Sequence, residues 1–359
     1  MEIAILGAGP IGLGMASFLH ANSHTPVLWS PSGRSTAPFV EGQRLSSVGR
    51  IETSFVPRVA ASCADALASA DVVIVAVPGY GHRAVMDAAA PNLRANQTVI
   101  ISAQYSLSAL YLSKIMAARG VTLPIIAWGT TLTTGRCKSP VEVNVSSLRN
   151  QLDMATIPVT TQESSLALCR ALFGDRFRER DDVLAITLSN LNPPVHMAMA
   201  LCNLTRMEKA EEWPIFSYVT DSVGRLIEAL DEERLTLART FDLTVRTVYE
   251  HYHLSFGVPF GTVAEMAMAV HTGRGSPSGP KSLESRFLTE DIPFGLAPLS
   301  VIAKAIDVPL PLHDAGIELL STLCDRDYRS ENNLISELQL ATTSKIALHD
   351  RIRAGWRNI

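Results

Sequence analysis

The sequence predicts an α/β fold in which a doubly wound, mostly parallel sheet is followed by an all-α domain. Apolar runs of strand length alternate with helical stretches as far as about residue 180, and a glycine-rich turn follows the first of these runs. Beyond residue 180, apolar residues recur at helical spacing and strand signals are few. We therefore predict two domains, at residues 1–181 and 182–359.

The composition is that of a globular protein. Of the 359 residues, 47% are hydrophobic and 18% are charged, which supplies enough apolar surface for two packed domains and argues against disorder. The net charge of −4 argues against a basic face for nucleic acid, and no apolar run reaches the length of a membrane span. We expect neither nucleic acid nor a membrane as a partner.

The cysteines and the first residues indicate a cytoplasmic protein. The five cysteines are far apart and contain no CxxC pair, so their spacing fits neither a disulfide framework nor a zinc site. The chain starts directly with a strand-like run and lacks the basic segment that opens a signal peptide. We expect reduced thiols and no bound metal.

The first elements carry a glycine motif in a specific setting. Residues 3–6 are apolar, residues 7–12 read Gly-Ala-Gly-Pro-Ile-Gly, residues 13–21 are helical and residues 26–29 are apolar again. The order strand, glycine turn, helix, strand is the one in which GxGxxG indicates a dinucleotide site. Residues 1–181 are therefore expected to form a Rossmann-type dinucleotide-binding domain.

Each residue of this motif has an expected role. Gly7 permits a tight turn, Gly9 lets the backbone approach a pyrophosphate, and Gly12 lets the helix pack against the strand. Pro10 and Ile11 complete the candidate cofactor-binding turn. The helix N-terminus presents unpaired N–H groups to the anion.

The end of the second predicted strand favours NADP(H) over NAD(H). NAD(H) enzymes usually place a carboxylate there, about 20 residues after the glycines, to bind the ribose 2′-hydroxyl. This chain has Ser30, Ser32 and Arg34 in that region and no acid. Two hydroxyls and a guanidinium can hold a 2′-phosphate, and the absent carboxylate removes a repulsion. NAD(H) stays possible, because Arg34 also fits an ordinary solvated loop.

Further strands extend the predicted sheet. Residues 71–78 are almost continuously apolar and end at Pro78, which opens a loop at the edge where ligands bind in such folds. Pro78 is therefore a candidate cofactor contact, and His82 is interpreted as a loop residue near the cofactor rather than as a catalyst. The other strands are predicted at residues 98–102, 123–127, 141–145 and 154–159, and the polar residues 129–136 are expected towards the nicotinamide.

In the helical half, Asn192 and His196 are candidate site residues. They are four apart, and Pro193 and Pro194 between them fit a first helical turn, so both side chains are predicted on one helix face. A histidine can transfer a proton at neutral pH, and the Asn192 amide can hold a substrate or the nicotinamide. Taken alone, a histidine at such a position is more often structural.

A second candidate segment combines Arg286 with Asp291. Arg286 is suited to bidentate capture of a substrate carboxylate, and Asp291 is suited to orient a histidine and stabilise its protonated form. Taken alone, the segment fits better a capped helix start with a surface salt bridge. The preceding residues 272–280, rich in Gly, Ser and Pro, are interpreted either as a plain loop or as a mobile lid.

Together these motifs resemble the octopine/nopaline (opine) dehydrogenase family. The glycine motif, residues 192–196 (Asn-Pro-Pro-Val-His) and residues 286–293 (Arg-Phe-Leu-Thr-Glu-Asp-Ile-Pro) occur in the family's order, and the resemblance covers nearly the whole chain. It implies a reductive condensation, in which the amine of an amino acid joins the carbonyl of a 2-oxo acid and hydride reduces the imine. It also implies that His196 and Asp291 handle the proton and that Arg286 binds a carboxylate.

Two other classes of protein remain as alternatives. A related two-domain reductase would act on a 2-oxo acid or a hydroxy acid alone, but such enzymes commonly use a catalytic lysine, and lysines are sparse in the helical half. A redox sensor would bind NADP(H) without turnover and would not need His196, Asp291 and Arg286. The expected partners are therefore an amino acid and a 2-oxo acid, and the apolar helical faces make a homodimer possible.

Overall fold

The computed structural model describes residues 1–357, which form two compact units. The first unit contains Met1–Ile186 together with the C-terminal segment from Leu348 onwards, and the second contains Thr187–Ala347. The first unit thus continues past residue 181, and it includes a C-terminal segment that we had predicted in the helical domain.

Contacts that no local pattern reveals hold this C-terminal segment on the first unit. The Trp356 N–H donates to Ser113 Oγ at 2.8 Å. The Trp356 ring lies 4.0 Å from the Arg351 guanidinium and 5.3 Å from the Lys114 ammonium. Ser113 and Lys114 are far away in sequence, whereas Arg351 lies on the segment itself, so composition alone assigns the segment to the helices before it.

In the described residues, the strands are β1 (Glu2–Leu6), β2 (Thr25–Trp29), β3 (Leu45–Gly49), β4 (Thr53–Phe55), β5 (Arg58–Val59), β6 (Val72–Val75), β7 (Thr98–Ile101), β8 (Ile125–Trp128), β9 (Thr133–Ser139), β10 (Glu142–Leu148), β11 (Leu152–Ile157) and β12 (Phe177–Glu179). The helices are α1 (Pro10–Ala21), α2 (Ala37–Val40), α3 (Cys63–Leu67), α4 (His82–Ala89), α5 (Ser108–Ala117), α6 (Gln162–Phe173), α7 (Val183–Leu188), α8 (Asn192–Glu208), α9 (Asp221–Thr240), α10 (Val248–Phe256), α11 (Val263–Arg274), a π-helix (Phe287–Leu296), α12 (Ala297–Ala305), α13 (Pro311–Cys324) and α14 (Lys345–Ala354). Single 3₁₀ turns lie at Gly79–Gly81, Ala90–Asn92, Val159–Thr161 and Phe216–Tyr218.

The main sheet of the first unit has the order β12-β11-β8-β7-β6-β1-β2-β5. From β5 to β8 all neighbours are parallel, whereas β11 runs antiparallel to β8. Its central strands are buried on both faces, as their continuous apolar runs predict. The predicted α/β fold with a doubly wound sheet and a helical domain is confirmed.

The predicted strand at residues 141–145 is present as β10, but our placement of it in the main sheet was wrong. It belongs to a second sheet of order β4-β3-β10-β9, and the polar residues 129–136 run into β9 of that sheet. Val143 and Val145 are buried while Asn144 between them is half-buried. This alternation is typical of a sheet with one covered face, unlike the continuous apolar run of β6.

The second unit is built from helices around its own apolar core. The residues from 275 to 280 lie between α11 and the π-helix; Gly275, Pro277 and Ser278 are exposed, whereas Gly279 is buried. A Cβ at Gly279 would overlap the Trp213 ring, and Trp213 Nε1–H donates to the Pro280 carbonyl oxygen at 3.1 Å. Whether this segment is a plain loop or a mobile lid stays a prediction.

A fully buried ion pair lies inside the second unit. The Arg234 guanidinium donates to Asp231 Oδ1 from Nε at 2.9 Å and from Nη2 at 2.6 Å, and it also donates to the carbonyl oxygens of Leu188 and Arg246. Asp231 Oδ2 accepts from the Val248 N–H at 2.9 Å. Buried charges of this kind are tolerated because each is paired and hydrogen-bonded.

Candidate functional site

The glycine turn between β1 and α1 is closed on one side and open on the other. Gly7 has a φ of 125°, and a Cβ there would overlap the Ala76 carbonyl oxygen. A Cβ at Gly12 would overlap the Gly7 carbonyl oxygen, so the chain needs glycine at both positions. A Cβ at Gly9 would meet no atom within 4 Å. Gly9 therefore borders open space that a ligand can enter.

The N-terminus of α1 begins at this open space. Gly9 is its N-cap residue, Pro10 occupies the first position, and no acidic residue lies in the first turn. The first intrahelical bond runs from the Leu13 N–H to the Gly9 carbonyl at 2.9 Å. The N–H groups of Ile11 and Gly12 precede that bond and can donate to an anion, as a pyrophosphate requires.

Two more predicted segments start at the same edge of the sheet. Strand β1 lies between β2 and β6, and all three end side by side. The Gly7 N–H donates to the Trp29 carbonyl oxygen at 2.8 Å. Ser30 follows β2 directly, and Pro78 precedes the 3₁₀ turn after β6. The candidate cofactor residues are thus brought together at the carboxyl edge, where such sheets bind ligands.

The loop after β2 is an exposed turn. The Gly33 N–H donates to the Ser30 carbonyl oxygen at 3.1 Å, and the Arg34 N–H donates to Ser32 Oγ at 3.4 Å. The Arg34 side chain is exposed, and it forms no ion pair within residues 1–357. Its guanidinium is therefore available to a phosphate.

One polar atom at this edge was not identified from the sequence. Ser102 follows β7, and its Oγ is buried with no hydrogen-bond partner among the residues described. Such an orphaned hydroxyl calls for a partner. The open space at Gly9, the helix N-terminus, the exposed Arg34 and this hydroxyl together fit a nicotinamide dinucleotide.

His82 is not the loop residue that we had expected. It is the first residue of α4 and is completely buried. Its Nε2–H donates to the Val77 carbonyl oxygen at 3.2 Å, so Nδ1 accepts from the Ser108 hydroxyl at 3.0 Å. Burial lowers the pKa of His82 to about 4, which keeps the ring neutral at physiological pH. His82 therefore has a structural role that links two loops.

In the second unit, His196 on α8 meets Asp291 on the π-helix. His196 Nδ1 lies 2.7 Å from Asp291 Oδ2, although the two residues are 95 positions apart. The Asp291 side chain is 4% exposed and that of His196 is 23% exposed. A carboxylate only accepts, so Nδ1–H donates to it. This leaves Nε2 as the atom that exchanges protons, and within the described chain it has no hydrogen-bond partner.

The helix start around Asn192 agrees with the sequence. Asn192 is the first residue of α8, and Pro193 and Pro194 lie in the first turn. The Asn192 N–H donates to Asn190 Oδ1 at 3.1 Å, and the Asn192 side chain is exposed. The predicted helix with Asn192 and His196 one turn apart is confirmed, while the role of the Asn192 amide stays a prediction.

The segment that carries Asp291 is a π-helix, which the sequence analysis did not predict. Pro293 lies inside it. Wide turns of this type are rare in proteins as a whole, and those that occur are often found at functional sites. Its first residue, Phe287, lies flat against the His196 imidazole, with ring centroids 3.6 Å apart and an angle of 10° between the planes. Two residues of the π-helix therefore contact His196.

Arg286 is already engaged by a neighbour. Its Nε–H donates to Glu290 Oε2, one turn further along. The Glu290 side chain is 1% exposed, whereas that of Arg286 is 66% exposed. The structure thus contains the salt bridge that the sequence favours when this segment is taken alone. The Arg286 side chain as a whole nevertheless remains largely exposed. Capture of a substrate carboxylate by Arg286 stays a prediction.

Two kinds of feature have no candidate within residues 1–357. No helix there combines the length and the apolar character needed to cross a membrane. Nor do three or more His, Cys, Asp or Glu side chains in this range form a group that could hold a metal ion.

Two family models match separate parts of the chain. The model for the α-helical domain of NAD/NADP octopine/nopaline dehydrogenases matches residues 179–324. The model for ketopantoate reductase PanE/ApbA matches residues 3–149. The opine dehydrogenase of Arthrobacter sp. (strain 1C) is 28% identical over 353 residues, covering 94% of this chain and 95% of that protein.

Solved structures share the fold over nearly the full length. An octopine dehydrogenase solved with NADH and L-arginine superimposes with a TM-score of 0.83 at 16% identity, covering 100% of this chain and 99% of that chain. A yersinopine dehydrogenase with bound NADP⁺ gives a TM-score of 0.72 at 15% identity, covering 95% of this chain and 98% of that chain.

Proposed function

Because the chain belongs to the octopine/nopaline (opine) dehydrogenase family of NAD(P)-dependent oxidoreductases, we propose that it joins an amino acid to a 2-oxo acid by reductive condensation. The product would be a secondary amine carrying two carboxylates. The observation that supports this most directly is the hydrogen bond of 2.7 Å between His196 and Asp291. This hydrogen bond gives the second unit a histidine that can donate a proton and whose neutral form is held in one tautomer.

The reaction needs a proton at a defined step. A C–N bond forms between the amine and the carbonyl carbon, and the carbonyl oxygen leaves as water, so the overall reductive reaction consumes one proton. The Nε2–H of a protonated His196 donates to the departing oxygen. The Asp291 carboxylate compensates the charge of the imidazolium and fixes Nδ1 as its own donor, as an acid does beside a catalytic histidine.

Arg286 and Asn192 are proposed to hold the substrates. The exposed Arg286 guanidinium offers donors to the carboxylate of the 2-oxo acid, while Glu290 restrains its Nε side. The exposed Asn192 amide lies one helical turn from His196 and can bind a second polar group. Fixing two substrates in this way supplies much of the rate that proton transfer does not.

The cofactor is proposed to be NADP(H), with NAD(H) as the alternative. The residues that would hold it are Gly7, Gly9, Pro10, Ile11, Gly12, Ser30, Ser32, Arg34 and Pro78. When bound, the reduced nicotinamide supplies the hydride that reduces the imine. Support for the phosphorylated form comes from the exposed Arg34 and from the absence of an acid after β2.

Turnover with paired substrates tests the function. NADPH oxidation is followed at the reduced-nicotinamide absorbance band with a matrix of amino acids and 2-oxo acids, each also supplied alone. We expect oxidation only when both are present. Oxidation by a 2-oxo acid alone would instead assign the chain to the simple reductases, and binding without any turnover would assign it to the redox sensors.

Replacing Arg34 by serine tests the cofactor choice. We expect the KM for NADPH to rise roughly tenfold or more and the KM for NADH to stay nearly unchanged, because a charge-assisted contact to the 2′-phosphate is worth about 1.5–3 kcal/mol. Steady-state kinetics with both cofactors measures the ratio. Arg239→Ser, which removes an exposed arginine of the second unit, is the matched control. Equal effects on NADPH and NADH would contradict the proposal.

The cellular location and the oligomeric state are proposed as follows. All five cysteines are free in the structure, which supports a reducing compartment and hence a cytoplasmic location. A homodimer stays a prediction, and sedimentation velocity would measure the oligomeric state.

A further inference from the structure

Phe287 covers one face of the His196 imidazole in a stacked arrangement that the proton-transfer scheme does not require. Its ring centroid lies 3.6 Å from that of the imidazole, and the planes are inclined by 10°. We propose that Phe287 is a positioning residue, which holds the His196 ring in the plane needed for proton donation and stabilises it when protonated. This inference rests on the proposed role of His196 in the reaction.

The first argument is geometric. A single hydrogen bond from Nδ1 to Asp291 restrains one atom of the imidazole, and the ring can still change its tilt by small rotations about its Cα–Cβ and Cβ–Cγ bonds. Such rotation would move Nε2 away from the substrate oxygen. A ring stacked on the face of the imidazole prevents it, so the two contacts together define the direction of the Nε2–H bond.

The second argument is electrostatic. The face of an aromatic ring carries partial negative charge and attracts a cation placed over it. Protonated His196 has such a ring on its face and the Asp291 carboxylate at its edge. Both contacts therefore place negative charge or negative potential beside the ring that is proposed to donate the proton.

The third argument comes from the element that supplies both contacts. Phe287 and Asp291 are four residues apart on the π-helix and therefore lie on one side of it. One element thus delivers the carboxylate and the aromatic face to the same histidine. A side chain whose only role is to fill the core would not need to lie parallel to that ring, and Phe287 is itself only half-buried.

The kinetic test compares Phe287→Leu with Phe287→Tyr. The leucine variant keeps an apolar side chain and loses the ring, so we expect kcat to fall roughly tenfold with the Kd for NADPH unchanged. The tyrosine variant keeps the ring and should restore kcat to within about twofold. Phe260→Leu is the matched control, because it removes another stack in the same unit, with centroids 4.5 Å apart, between Phe260 and His253.

A double-mutant cycle separates positioning from general packing. In a His196→Ala background, Phe287→Leu should change the residual single-turnover rate by less than about twofold, because the group it acts on is gone. A loss that persists in this background would mean that Phe287 serves the fold, and the proposal would be wrong. Full activity in Phe287→Leu would overturn it equally.

Histidine-selective NMR gives a readout that does not depend on turnover. The ring-proton resonances of His196 are assigned by their loss in His196→Ala. The aromatic face should shift them upfield, so Phe287→Leu should move them downfield while Phe260→Leu leaves them in place. Unmoved resonances would refute the stack itself. If no substrate pair turns over, the proposed function fails, and the NMR shift still decides whether Phe287 orients the ring.

Discussion

Replacing His196 by alanine is expected to lower kcat for the condensation about 10²–10⁴-fold, the usual contribution of a positioned general acid. The reason is that the departing oxygen would lose the Nε2–H group that supplies its proton. The residues proposed to hold the cofactor lie in the first unit, so the Kd for NADPH should not change. Stopped-flow turnover and fluorescence titration of NADPH measure the two quantities separately.

His253→Ala is the matched control for this substitution. His253 also stacks on a phenylalanine, and its Nδ1–H donates to the Val258 carbonyl oxygen at 2.8 Å. Unlike His196, it forms no ion pair with a carboxylate within residues 1–357. Its loss should leave kcat within about twofold of the wild-type value. If His196→Ala kept more than a tenth of the wild-type kcat, the histidine would not be the proton donor.

Replacing Arg234 by methionine is expected to lower the free energy of unfolding by about 3–5 kcal/mol. The substitution leaves Asp231 with an uncompensated charge in a site that is 3% exposed, and it leaves the carbonyl oxygens of Leu188 and Arg246 without their donor. Urea unfolding followed by tryptophan fluorescence measures the change.

Two further variants make this second prediction specific. Arg239→Met removes an exposed arginine, paired with Glu232, and should cost less than about 1 kcal/mol. Combining Arg234→Met with Asp231→Leu should recover part of the loss, because no buried charge then remains. Recovery is expected to be incomplete, since the Val248 N–H would lose its acceptor. A single variant as stable as the wild type would show that the pair is dispensable.

The fold was predictable where the pattern of apolar residues along the chain indicates which faces of a strand are buried. The continuous apolar run that contains β6 indicates a strand covered on both sides, and the structure places it in the centre of the main sheet. The alternating pattern around Val143 instead indicates a strand in a sheet with one covered face, which is why our placement of this strand in the main sheet was wrong. The position of Trp356 depends on partners far away in sequence, which no local pattern contains.

The candidate site was predictable to a lesser depth. The two segments that meet at His196 and Asp291 were found through their motifs, although each alone favoured a plainer explanation. The π-helix was missed because its wide turn depends on packing; Pro293 within a helical stretch was the signal that could have indicated an irregular turn. Without knowledge of that turn, the stacking of Phe287 on His196 could not be predicted from the sequence.

The return of the C-terminal segment to the first unit also matters during synthesis. Helix α14 contributes Leu348 and Ile352, both nearly or completely buried. On the ribosome, the nucleotide-binding part emerges first, yet its last helix is translated only after the whole second unit. Until then the first unit lacks the apolar side chains of Leu348 and Ile352. The first unit is therefore expected to complete its apolar core only after the second unit has been synthesised.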